Sequence, residues 1–298
     1  MSNASLPKLI MLGMQNEFSR HTLINLIALG SVPSAVVVLE EKQGRAPHAH
    51  AIPVAVADSL SGATLAADIT LITIPSLDDP RSFERIEKLN PDVVLVACFA
   101  QRLTPKWLSV PLQLGVNLHP SLLPRFRGPC PLFWQFRSGE LVTGITLHLL
   151  SEEFDSGDVV SQSTLVLQPG DDFASVTVNQ AELGATLVSR LLQRLSAGHR
   201  IETTKQSDAD ATYQPMPAEQ DFVLDSSMSV EQAYRFIRGV QSWGHPFTFS
   251  GSGGELLLHR ALDYKPEATL DAPYKNSENG IRIQLRDGVL TAEGSVVN

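Results

Sequence analysis

The stretch DVVLVACF (92–99) is apolar and β-branched almost throughout. That is how a strand covered on both faces reads, whereas a strand with one wet face alternates polar and apolar residues. Working outward, LGVNLH (114–119) is a second strand, and LIMLGM (9–14), AVVVLE (35–40) and ITLITI (69–74) are short apolar runs of the same kind. Helical patterns separate them. SRHTLINLIALG (19–30) has apolar residues at helical spacing and ends on Gly30, DDPRSFERIEKLN (78–90) carries Pro80 at its start, and ATLAAD (63–68) reads as a turn of helix. Strands alternating with helices predict a mostly parallel sheet with helices on both faces. In such sheets ligands sit beyond the carboxyl ends of the strands. The residues just after Phe99, and those from Asn117 to His119, are therefore where chemistry is expected.

Farther along, TGITLHLLS (143–151) and DVVSQSTLVLQ (158–168) read as strands with partial alternation, and 175–198 as a long helix. Residues 201–223 are polar, hold two prolines and show little periodicity, so they read as a linker on the surface. SVEQAYRFIRGV (229–240) reads as a helix with Ser229 as N-cap and Gln232 at N3, a capping box. TFSGSGGELLLHRAL (248–262) and IRIQLRDGVLTAEG (281–294) read as hairpins, the second turning at Asp287–Gly288. The expected organisation is a catalytic domain over 1–200, a linker over 201–223 and a small, barrel-like β-rich domain over 224–298. There is no GxGxxG after the first strand and no Walker loop, and SGSGGE lies between two strands as a turn.

Hydrophobic residues make up 43% and charged residues 18%, the balance of a soluble globular protein of 298 residues. The net charge of -9 argues against a broad electrostatic grip on nucleic acid. Cys98 and Cys130 are too few for a disulfide framework and have no metal-ligand company. The first residues hold only a six-residue apolar run, and nothing approaches a membrane span. A soluble cytoplasmic protein is expected, without metal. The pair His48 and His50 has no acidic or cysteine partner nearby and is not expected to bind one.

Asn117 and His119 are two apart at a strand end, so they point to one face, and Asp155 lies in the loop between the next two strands, free to fold back. Each has a structural alternative: N-x-H as ordinary strand-end polar residues, Asp155 before Ser156–Gly157 as a turn former. Their surroundings favour chemistry, because SLLPRFRGPCP (121–131) sets three prolines and a glycine immediately beyond. A carboxamide NH2 and an imidazolium are suitable donors to a tetrahedral oxyanion. A carboxylate can keep the imidazole protonated and relay protons through a water. No nucleophilic side chain is needed.

VNLHPSLLPRFRG (116–128), followed by FDSGD (154–158), resembles the signature of the 10-formyltetrahydrofolate-dependent formyltransferases. The resemblance is strong over 92–198 and looser over 8–40. It implies a Rossmann-like formyltransferase fold and 10-formyltetrahydrofolate as formyl donor. It also implies Asn117, His119 and Asp155 as the catalytic trio. The pterin of the folate would lie against the main chain at Phe99, Ala100, Gln101, Arg102 and Leu103, and against the loop of Glu153, Phe154 and Asp158. IRGVQSWGHPFTF (237–249) is similar to the stretch opening the OB-like second domain of the methionyl-tRNA and amino-sugar branch.

The acceptor is less determined. The methionyl-tRNA enzymes usually carry a small residue after the histidine and two after Arg-Gly. Here Pro120, Pro129 and Cys130 stand in those places. Their first-domain insertion is rich in Lys and Arg, whereas 40–51 carries two basic and two acidic residues. From 206 onward there are seven Lys and Arg against thirteen Asp and Glu, where a surface for tRNA would be basic. A small-molecule amine, such as a nucleotide-linked amino sugar, is the expected acceptor. The alternatives are a methionyl-tRNA formyltransferase with an atypical surface and a hydrolase of the same donor. Phe133, Trp134 and Phe136 in PLFWQFRSG (131–139) offer rings to stack on a sugar or base, or else fill a core.

Overall fold

The computed structural model describes residues 5–40, 58–251 and 254–297; His48 and His50, and nearly all of 40–51, lie outside them. The chain forms two compact units. The first comprises Met1–Gly128, Gly144–Leu165 and Thr177–Tyr213; the second comprises Pro129–Thr143, Val166–Val176 and Gln214–Asn298.

The strands of the large sheet are β1 (Leu9–Gly13), β2 (Ala35–Leu39), β3 (Thr70–Ile74), β4 (Val93–Ala97), β5 (Leu114–His119), β6 (Val142–Leu149) and β7 (Val159–Val166). Their order is β3-β2-β1-β4-β5-β6-β7. Pairing is parallel from β3 through β5, and β6 then runs antiparallel to β5. The helices of this unit are α1 (Glu17–Ala28), α2 (Leu60–Ala66), α3 (Pro80–Glu87) and α4 (Pro105–Leu108), with α6 (Phe173–Ser196) from Thr177 onward. The apolar strands serve two cores at once. In β1, Leu9 and Met11 pack on one face and Ile10 and Leu12 on the other; in β4, Val93, Leu95 and Ala97 take the first face and Val94 and Val96 the second. Such double burial is why these strands read as unbroken apolar runs.

Helix starts are set locally. Asn16 caps α1 by accepting from Ser19 N, and Asp79 caps α3 by accepting from Arg81 N with Pro80 following. On β5, Val116 and Leu118 face α6, so Asn117 and His119 face the other way. Gly184 of α6 lets that helix lie close, because a Cβ there would stand 2.9 Å from Leu118 Cδ1.

The second unit holds α5 (Pro131–Ser138), α7 (Val230–Val240) and a six-stranded sheet. The strands are β8 (Val223–Leu224), β9 (Phe247–Gly251), β10 (Gly254–Pro266), β11 (Tyr274–Ser277), β12 (Gly280–Leu285) and β13 (Gly288–Val297), in the order β11-β12-β13-β10-β9-β8. Both expected hairpins form, and β12 turns into β13 at Asp287 and Gly288. Phe133 is buried at the centre of this unit, with Phe222 at 5.1 Å, Trp243 at 5.4 Å and Phe236 at 5.5 Å between ring centroids. Phe136 is buried as well. Neither ring can stack on a ligand. They fill a core because an apolar helix face gains more from burial than from water. Trp134 is half-buried and donates its indole N–H to Pro215 O at 2.8 Å.

Two further expectations change in detail. Ser229 does cap α7, accepting from Gln232 N at 3.1 Å, but the Gln232 side chain donates to Arg137 O at 2.9 Å instead of closing a capping box. Residues 201–213 do not run free. Val159 pairs with Thr204 and Arg127 with Tyr213 as isolated bridges, so this polar segment is bound to the sheet unit by main-chain hydrogen bonds. Leu118 is fully enclosed on the strand that presents Asn117 and His119. Leu118→Ala is expected to cost about 2–5 kcal/mol, read as a lower urea midpoint at unchanged m-value.

Candidate active site

The end of β5 delivers Asn117 and His119 to one face of the sheet, as their spacing requires. The antiparallel register with β6 sets His148 opposite Asn117 and Thr146 opposite His119. The loop after β6 folds back so that the Asp155 carboxylate reaches these residues. Its return is tight. Leu149 N donates to Asp158 O at 2.9 Å, and a Cβ on Gly157 would lie 1.9 Å from Leu149 O, so only glycine fits. Asp155 itself adopts φ 56, a left-handed conformation uncommon outside glycine.

The trio expected from sequence is assembled. Asp155 Oδ1 lies 3.3 Å from His119 Nδ1, and Asn117 Nδ2 donates to the same oxygen over a longer 3.5 Å. Oδ2 accepts from Gly128 N at 2.9 Å. His119 Nε2 lies 2.7 Å from Phe126 O, so both ring nitrogens face acceptors and the ring is bound as an imidazolium.

His148 is a fourth member that the sequence reading missed. It is 2% exposed, and its Nδ1 lies 2.8 Å from Leu149 O, which fixes the proton there. Nε2 then accepts from Asn117 Nδ2 at 3.0 Å and stands 3.8 Å from Asp155 Oδ1. His148 thus orients the Asn117 amide, turning its NH2 toward the carboxylate. The alternation of Thr146 and His148 in TLH was visible in the sequence. Their pairing with Asn117 and His119 was not, because it depends on the antiparallel register.

One carboxylate holds its two imidazoles in opposite states. Burial alone would push His119 down, but attraction and hydrogen bonding from Asp155, with the Phe126 carbonyl, outweigh it and hold the imidazolium above the usual histidine range. Burial would raise Asp155, yet His119, Gly128 N and His148 draw it down to about 2. For His148 burial wins over Asp155, and repulsion from His119 and Arg127 adds to it, leaving its pKa at about 4.

The donor-site residues expected from sequence fall into two groups. Leu103 is buried in the sheet core and Phe99 packs against it partly buried, so Leu103 can offer a ligand only main chain. Gln101 is committed, its Oε1 accepting from Leu77 N at 2.7 Å, and Ala100 is exposed. Arg102, Glu153 and Phe154 come together with Arg127 and Tyr213 around a cavity of about 340 Å³. Asp158 accepts from Thr203 Oγ1 at 3.3 Å through its side chain. Among the described residues no group of three or more His, Cys, Asp or Glu is placed to hold a metal ion, and no helix is long and apolar enough to cross a membrane.

The depressed pKa of His148 has a consequence for stability. Unfolded, the ring titrates near 6.5; folded, it stays neutral down to about 4. The unfolded chain therefore takes up a proton first, and stability present above pH 6.5 is lost as pH falls toward 4, by roughly 3 kcal/mol. Asp155 adds loss only below its unfolded value near 3.8, down through about 2. His148→Gln is expected to flatten the pH 6.5 to 4 decline in urea-unfolding stability. An unchanged slope in the variant would place the titration elsewhere.

Residues 18–192, which contain Asn117, His119, His148 and Asp155, match the family described as Formyl transferase. The methionyl-tRNA formyltransferase of Syntrophus aciditrophicus (strain SB) is 32% identical over 279 residues, covering 93% of this chain and 87% of that one. An N-formyltransferase from Helicobacter canadensis, solved with folinic acid and dTDP-3-aminofucose, is similar with a TM-score of 0.67 at 17% identity, over 97% of this chain and 100% of that one. HypX from Aquifex aeolicus, solved with tetrahydrofolic acid, is similar with a TM-score of 0.60 at 17% identity, over 97% of this chain and 44% of that longer one. At those identities the two structures speak for the fold. The family match and the near full-length relative speak for descent, and the chain belongs to the formyl transferase family.

Proposed function

We propose that the protein transfers a formyl group from 10-formyltetrahydrofolate to the amine of a small-molecule acceptor, such as a nucleotide-linked amino sugar. The observation that carries the chemistry is the buried His119–Asp155 pair with the Asn117 amide beside it. The amine nitrogen attacks the formyl carbon, and the carbonyl π pair moves onto oxygen. His119 Nε2–H and the Asn117 amide are the donors for that oxyanion, in a site where burial strengthens both. His119 Nε2 is spoken for by Phe126 O at 2.7 Å, so the formyl oxygen competes with that carbonyl for one proton. When the intermediate collapses, the bond from carbon to N10 breaks, and a proton leaving the amine ends on N10. Asp155, with its pKa near 2, is a poor final base. Its part is to keep His119 charged and to pass the proton through a water.

For the donor, the main chain at Phe99, Ala100, Gln101, Arg102 and Leu103 lies at the carboxyl end of β4, where parallel sheets bind ligands. Arg102, Glu153 and Phe154 share one cavity, so the two stretches expected to hold the folate are neighbours. For the acceptor, the seven basic against thirteen acidic residues from 206 onward favour a small molecule over tRNA, whose phosphates would meet net repulsion. A second reading, methionyl-tRNA as acceptor, is favoured by the 32% identity to such an enzyme over 93% of this chain.

The deciding experiment supplies 10-formyltetrahydrofolate with a panel of amines, amino-sugar nucleotides and charged initiator tRNA, and follows tetrahydrofolate release. Turnover with an amino-sugar nucleotide and none with the tRNA is expected. Turnover with the tRNA, lost steeply with salt, would establish the second reading, and formate release without any amine would make the protein a hydrolase. His119→Ala should lower kcat by about 10²–10³-fold or more and leave donor Kd within a few-fold. Near-normal turnover in that variant would remove the trio from the mechanism.

A further inference from the structure

Gln206 lies in the polar segment that the sequence presents as a linker, yet it is 6% exposed. Its Nε2 donates to two main-chain carbonyls of the Asp155 turn, Asp155 O and Gly157 O, each at 2.7 Å. Its Oε1 accepts from Arg127 Nε at 3.1 Å and from an Arg127 terminal nitrogen at 2.9 Å. Both amide hydrogens and both oxygen lone pairs are thus used. The amide orientation is determined by its neighbours: flipped, it would set NH2 against a guanidinium and oxygen against two carbonyls.

These partners are the two pieces of chain on which the Asp155 carboxylate rests. One is the turn that carries Asp155 in its left-handed conformation, φ 56, which persists only where surroundings over-determine it. The other is Arg127, next to Gly128, whose N–H holds Oδ2 at 2.9 Å. The same segment reaches the second acceptor of His119: Thr212 Oγ1 accepts from Phe126 N at 2.8 Å, and Thr212 N donates to Pro124 O at 3.2 Å. We propose that Gln206 is a positioning residue for formyl transfer, clamping the 155–157 turn to Arg127 so that the Asp155 carboxylate stays in register with His119. It touches no reacting atom and acts through Asp155. The assignment rests on Asn117, His119 and Asp155 being the catalytic trio.

The test separates the two arms of the amide. Gln206→Met keeps the size and removes every hydrogen bond; Gln206→Glu keeps the acceptors for Arg127 but sets an acceptor against the two carbonyls. Both should lower kcat by about 10- to 100-fold, as loss of an orienting contact does, with donor KM within about threefold on the same grounds. Gln206→Met should also lower the His119 pKa, read from the imidazole Cε1–H resonance in the unliganded protein. The charged and titratable groups around that ring are Asp155, His148, Arg127 and, 3.6 Å beyond Arg127, Asp208. Their composition does not change in Gln206→Met, so a shift there reports displacement of the carboxylate; Gln206→Glu adds a carboxylate beside Arg127, which by attraction favours the imidazolium, and is read by kcat against KM. A purely structural Gln206 would lower Tm and leave the His119 titration where it was, and that result overturns the proposal. So does wild-type kcat in Gln206→Glu, which would credit the Arg127 arm alone. If Gln206→Met does not fold, Gln206→Glu decides by its kcat-against-KM split. Asp155→Asn is the companion variant: retained turnover there would sink the catalytic trio, while the His119 titration in Gln206→Met would still judge the clamp.

Discussion

The site depends on one buried carboxylate that has to be held in place against its own desolvation. Asp155 is largely removed from water, and an ionised carboxylate there is tenable only with charge-assisted partners on both oxygens. Oδ1 has His119 and Asn117, and Oδ2 has Gly128 N. Asn117 and His119 come from β5 and Gly128 from the loop beyond it, so the carboxylate fixes those two stretches relative to its own turn. It also decides which of two neighbouring imidazoles is charged. His119 lies 3.3 Å from Oδ1 and keeps its proton; His148 lies 3.8 Å away, with Nε2 already accepting from Asn117, and stays neutral. A half-ångström difference and one amide hydrogen bond separate the two states.

The sheet supplies the geometry for this. Parallel strands from β3 to β5 bring their carboxyl ends to one edge, where β5 presents Asn117 and His119. A further parallel strand would arrive at that edge by a long crossover. The antiparallel β6 instead sets His148 and Thr146 directly across from the two β5 residues. Thr146 then ties the irregular loop beyond His119: its hydroxyl donates to Ser121 O and accepts from Leu123 N. The reversal of strand direction is what turns a strand end into a two-sided polar site.

Much of this was legible in the sequence, for identifiable reasons. Strands such as DVVLVACF announce themselves because both faces are buried, and Leu95 and Val96 serve different cores. Asn117 and His119 were readable because strand periodicity is local, and Asp155 because the loop carrying it is short. What escaped notice depended on pairing between distant segments. His148 matters through a cross-strand register that no local pattern encodes. Gln206 sits in a stretch whose polarity and prolines resemble a solvated linker, yet its amide is sealed under the Asp155 turn. Phe133 and Phe136 mislead in the opposite sense: aromatic residues near a polar motif suggest ligand stacking, whereas Phe133 packs on Phe222, Phe236 and Trp243, and Phe136 is buried against Gly239.

The useful donors of the site are satisfied internally. His119 gives one proton to Asp155 and the other to Phe126 O, and the Asn117 amide is shared between His148 and Asp155. This follows from burial, since a donor left bare there would cost about 1–3 kcal/mol. The consequence is that an oxygen entering the site gains only the difference between itself and the carbonyl it displaces. A neutral formyl oxygen and the Phe126 carbonyl are similar acceptors, so the exchange is nearly even in the ground state. An oxyanion is a far stronger acceptor for a charged donor. In the proposed transfer the exchange therefore turns favourable as negative charge develops, which is the differential binding that accelerates a reaction. The tethering of the 120–128 loop through Thr146, Gln162 and Thr212 acquires a purpose on this argument. A place-holding carbonyl works only if it stands where the oxyanion is to form, and a loose one would leave the imidazolium to water.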